Sequence, residues 1–168
     1  MEPTDTNAIT EFAIVVAGFS GLILAVVQRD GEMRALDKYR TVTMLMYAFS
    51  AAFASLFPTL VQSLGISGPQ LWWYSGLGLL LLLITSTLAT GLCTLMLSAE
   101  ERGQLRKWMW ILVIGGNSIL IAWLGYSLAQ APQWVPGAFF SGLIWQLVLS
   151  SILFTRLLTQ MGSGHAND

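Results

Sequence analysis

The chain has 168 residues, 55% hydrophobic and only 10% charged, with a net charge of −1 and a mean hydropathy of +0.66. A soluble domain carries roughly a quarter charged residues, so the composition excludes an ordinary water-soluble fold. Bases and acids intermix without a clean basic cluster, which excludes nucleic acid as a partner.

Apolar runs of about 20 residues, the length that crosses a bilayer at the helical rise, recur over residues 8–27, 42–64, 71–97, 108–128 and 136–158. The chain therefore reads as an all-α integral membrane protein, a single-domain bundle of five transmembrane helices. The first run is preceded by Glu2 and Asp5 and begins near Glu11. A cleaved signal peptide has a positive leader and a small-residue cleavage site, so this run reads as a retained helix. Glu11 suits the helix N-terminus at headgroup level. Along the span Ala13, Ala17, Gly21 and Ala25 recur every four residues and offer a face for close helix packing.

The connector that follows carries Arg29, Arg34, Lys38 and Arg40 diluted by Asp30, Glu32 and Asp37. It reads as a solvated segment at headgroup level, with Asp30 and Arg34 spaced for an i,i+4 pair. The second span repeats the small-residue device with Ala48, Ala52 and Ser55, and Ala51 beside them. Within it, Pro58 has no N–H for the Ala54 carbonyl, which predicts a kink.

The third span runs about 27 residues, or roughly 40 Å at the helical rise, against a hydrocarbon core of about 30 Å, so it should tilt or protrude. Its hydroxyls place Thr87, Gly91, Thr94 and Ser98 along one face. The single cysteine, Cys93, reads as a small buried hydrophobe. In the fourth span Asn117 lies about ten residues from the cytoplasmic end. In the fifth, Ala138, Gly142, Gln146 and Ser150 share one face, and Gln146 lies about ten residues from the outer end. The depths match between antiparallel neighbours, so the Asn117 and Gln146 amides are expected to bond each other or share a polar partner. Such contacts are worth about 0.6 kcal/mol in membranes. Trp72, Trp73, Tyr74, Trp108, Trp110 and Trp134 fall at span ends, where amphipathic rings anchor at the interface.

All eight Lys and Arg residues sit in the first connector, in the connector between the third and fourth spans, or at Arg156. Basic residues mark the untranslocated side, which predicts an N-terminus outside and a cytoplasmic C-terminus in the inner (plasma) membrane.

Several function classes lose their footing. No Asp, Glu, Lys, Arg or His stands in the core of a span, whereas ion-coupled transport commonly uses one. His165 is the only histidine, so neither bis-histidine haem ligation nor a Cys/His metal cluster can form within one chain. No embedded lysine offers a Schiff base, and no Ser/His/Asp or paired-carboxylate set offers a catalytic centre. Five spans do not divide into an inverted repeat. The sequence points to a non-enzymatic protein without cofactor or metal. It would act in the lipid bilayer through association, as a homo-oligomer or as an accessory subunit beside other membrane-protein subunits. The alternative is a small oligomeric pore or facilitator for a neutral or weakly charged solute, lined by the third-span hydroxyls, Asn117 and Gln146.

Overall fold

The computed structural model describes Glu11, Ile14, Gly18 and Gly21, residues 35–104 and residues 107–164. Among these the chain is all-helical, without strands. Helix α1 spans Ala35–Ser63, α2 Pro69–Met96, the short α3 Ala99–Gln104, α4 Lys107–Gln130 and α5 Val135–Gly164, with a 3-10 turn at Pro132–Trp134 before α5. Over Lys38–Ser63, Pro69–Met96, Trp110–Gln130 and Pro132–Arg156, four helices are long and apolar enough to cross a membrane. They correspond to the second to fifth spans. Of the first span, Ala13, Ala17 and Ala25 lie outside the described residues, while Gly21 is helical and exposed. Asp30 and Arg34 also lie outside them.

Helix α1 starts seven residues before the apolar run does, so Lys38 and Arg40 belong to a helix rather than to a solvated connector. Lys38 is exposed, but Arg40 retains only 9% of its accessible surface. That departs from the expectation of a solvated segment at Arg40, though not at Lys38.

The turn between α1 and α2 follows from two glycines. After Ser63 the Gly65 N–H donates to the Gln62 carbonyl at 2.9 Å and the Ile66 N–H to the Val61 carbonyl at 3.4 Å. Gly65, at φ +80°, supplies the left-handed residue that this pair of closing bonds requires. Gly68, at φ 67° and ψ −145°, occupies backbone space that side chains avoid and leads into Pro69 at the first turn of α2. The two helices then run antiparallel: Phe57 lies against Gly78, Tyr47 against Thr90 and Tyr39 against Thr94.

Lipid gives apolar side chains no reason to leave it for a neighbouring helix, so association rests on close packing and polar contacts. The first is visible where glycines admit larger groups. A Cβ on Gly78 would stand 2.6 Å from the Phe57 ring, one on Gly76 2.8 Å from Val135, and one on Gly142 2.9 Å from a Leu79 methyl. Around these contacts Ala54, Leu79, Leu83, Leu124, Val135, Phe139 and Leu143 form the main core. A second core joins Met44 and Tyr47 to Val113, Leu149 and Leu153. On α1 Ala48, Ala51 and Ser55 are buried and Ala52 half-buried; Pro58 is buried inside the helix.

Candidate functional site, a polar cluster inside the bundle

The α2 face turned inward is not the one expected from its hydroxyls. Ser75, Gly76, Leu79, Leu83, Ser86, Thr90 and Thr94 are buried, whereas Thr87 and Gly91 are half-buried and Ser98 is exposed beyond the helix end. The centre of the buried arc is rotated by roughly 70° from the face through Thr87, Gly91, Thr94 and Ser98, taking 100° per residue. Leucines claim part of that arc, because they interlock with Gly142 and the α5 core.

Asn117 and Gln146 both have 0% exposure, yet their amides do not bond each other. Asn117 Nδ2 donates to Thr87 Oγ1 at 2.9 Å and to the Tyr47 hydroxyl at 3.3 Å. Its Oδ1 accepts from Trp145 Nε1 at 2.9 Å. The expected depth match therefore places the correct layer, but the residue that reaches Asn117 is Trp145. One position separates it from Gln146, and one position on a helix is a turn of 100°. Gly116 makes the contact feasible, since a Cβ there would overlap the Trp145 indole.

Counting hydrogens gives the cluster a direction. Thr90 spends its hydroxyl hydrogen on the Ser86 carbonyl at 2.8 Å, so in the 3.2 Å contact with Tyr47 the tyrosine donates. Thr94 spends its own on the Thr90 carbonyl, so Tyr39 donates across 2.8 Å to Thr94. Thr87 donates to the Leu83 carbonyl, leaving its oxygen free to accept from Asn117. The order runs from the Trp145 indole to the Asn117 carbonyl, and from the Asn117 amide to Tyr47 and onward to Thr90. Each of these donors is satisfied, and four helices contribute. Tyr47→Phe removes one donor and one acceptor while keeping the ring, and should lower stability by about 1 kcal/mol, read from unfolding curves in detergent.

Tyr47 and Trp145 were the residues that sequence reasoning missed. The available signal was position: a phenol and an indole in mid-span must find partners for their O–H and N–H, because lipid has none. Other aromatics follow the interface pattern. Trp73, Tyr74, Trp110 and Trp134 are exposed near helix ends, and the side chain of Trp108 lies outside the described residues. Trp73 also donates to the Leu128 carbonyl at 3.2 Å, filling one of the free acceptors at the end of α4. Trp72 is half-buried against Phe139 and Phe140, at ring separations of 6.0 and 5.7 Å.

Among the described residues no group of three or more His, Cys, Asp or Glu comes together. Cys93 is a free, half-buried thiol. The cluster thus consists of neutral hydrogen-bonding groups that satisfy one another, suited to fixing helix rotation.

These helices and their buried polar layer fit a multipass helical membrane protein. No family model, curated protein or solved structure matches the chain.

Proposed function

We propose that this is a non-enzymatic multipass protein of the plasma membrane that works by association, as a homo-oligomer or as an accessory subunit of a larger membrane complex. Its N-terminus would lie outside and its C-terminus in the cytoplasm, as the distribution of bases suggests. The observation that supports the reading is a row of small residues on the outer side of α4. Gly115, Ser118, Ala122, Gly125 and Ala129 alternate spacings of three and four and so share one face. Ser118, Ala122 and Ala129 are exposed. Gly115 and Gly125 have nothing within 4 Å of where a Cβ would stand. Large exposed side chains, Ile111, Ile119 and Tyr126, accompany the row. In lipid such a surface is where a further helix backbone can approach closely.

Native mass spectrometry after mild extraction tests this. A species at a multiple of 18.4 kDa, or one carrying other chains, is the expected result, and Ala122→Leu with Gly125→Leu should release the protomer. A solitary wild-type monomer would reject the proposal. The pore alternative draws less support, because Asn117, Thr87, Thr90 and Gln146 turn toward the interior of their own protomer rather than toward a face that copies could share.

A further inference from the structure

Unlike Asn117, Gln146 reaches full burial with both amide atoms lacking any hydrogen-bond partner. The Ser50 hydroxyl, on a residue with 6% exposure, is in the same condition. Helix register puts the two in one layer. Ser150 on α5 donates to the Met44 carbonyl on α1, and Leu147 packs on Ala51; the helices run antiparallel, and the register that these two contacts bracket sets Gln146 opposite Ser50. On α2 the layer is marked by Ser86: Gly142 lies against Leu79 and Leu83, and one turn further along both helices come Gln146 and Ser86. Ser86 gives its hydrogen to the Leu83 carbonyl at 3.1 Å and keeps its oxygen as an acceptor. One turn toward the other end, Ala54 is fully buried, and Pro58 deprives its carbonyl of the usual helical donor.

The seam between α1, α2 and α5 thus gathers two amide donors, an amide acceptor, a hydroxyl and a main-chain carbonyl. A single serine cannot match an amide, which offers two hydrogens and two lone pairs. Buried groups left in this way are commonly completed by an internal water that makes about three hydrogen bonds. We infer that Gln146 and Ser50 hold an ordered water in the α1–α2–α5 seam, at mid-depth of the bundle. It accepts from the Gln146 amide and donates to the Ala54 carbonyl or the Ser86 oxygen, with Ser50 as the third neighbour. Gln146 is then a solvent-binding residue, while Asn117 is a structural clasp in the same layer. The inference is independent of the association reading, because it concerns the interior of one protomer.

Solid-state NMR of the isotopically labelled protein in lipid bilayers tests it, with the Gln146 and Asn117 side-chain amides assigned through their own backbones. Polarisation started on water should build up on the Gln146 amide at mixing times where the Asn117 amide, equally buried but saturated by protein partners, remains silent. Loss of that early build-up, with both amides silent, overturns the water. Equal build-up on both overturns the assignment to this seam, since it would mean general wetting of the interior. A Gln146 amide that is silent yet shifts in Ser50→Ala also overturns it, because the amide would then bond the serine directly.

Discussion

Gly116→Ala should push the Trp145 indole out of its seat, and it should do so although Gly115→Ala, one residue away, is tolerated. A Cβ at 116 overlaps the indole, whereas one at 115 meets nothing within 4 Å. Overpacking of a rigid ring against a helix backbone costs about 1–3 kcal/mol. Here the ring also carries the Nε1 donor for Asn117, so moving it strips a hydrogen bond as well, and about 3 kcal/mol is expected. The neighbouring change should be neutral or slightly favourable, because alanine is the better helix former by about 0.5–1 kcal/mol. Unfolding titrations in mixed detergent, followed by far-ultraviolet circular dichroism, would compare the two variants. Equal stability of both would remove the steric argument.

Asn117→Leu is the second large effect. It deletes three contacts at once, those with Thr87, Tyr47 and Trp145. The Trp145 indole N–H is left facing an apolar side chain in a medium without water, and leaving a buried donor unmade costs more than the bond itself contributes. Membrane hydrogen bonds average about 0.6 kcal/mol each, and adding the stranded indole brings the total to about 2–3 kcal/mol. The same unfolding titration measures it. The double variant Asn117→Leu, Tyr47→Phe should lose less than the sum of the two single changes, since the Tyr47 hydroxyl has already lost its donor. Strict additivity would show that the two side chains do not share the network.

How far the sequence carried depended on whether a feature lay along a helix or around it. Position along the chain was legible, because runs of apolar residues measure bilayer thickness directly. α2 and α4 begin and end within two residues of the expected limits, α5 begins within one but runs six residues further, to Gly164, and Asn117 does share a layer with the residue beside Gln146. On α5 the rotation was legible too: Ala138, Gly142, Gln146 and Ser150 are all buried. There the small and polar residues coincide with the packed side. On α2 they do not. That helix is apolar all round, so no amphipathic stripe reports its orientation, and the leucines that interlock with α5 shifted the buried arc away from Thr87 and Gly91. The Asn117–Gln146 pair failed for a related reason. Depth selects a layer of several side chains, and which of them touch depends on rotation and on room, here the absence of a Cβ at Gly116.

The polar cluster is divided by order of synthesis. Tyr39 with Thr94, and Tyr47 with Thr90, join α1 to α2 alone, so these bonds can close as soon as the first described hairpin leaves the ribosome and enters lipid. Thr87 and the Tyr47 oxygen then wait as vacant acceptors for Asn117, and the Asn117 carbonyl in turn waits for the Trp145 indole. Each arriving helix would find its partners already displayed by earlier ones, so the network can close in the order of translation.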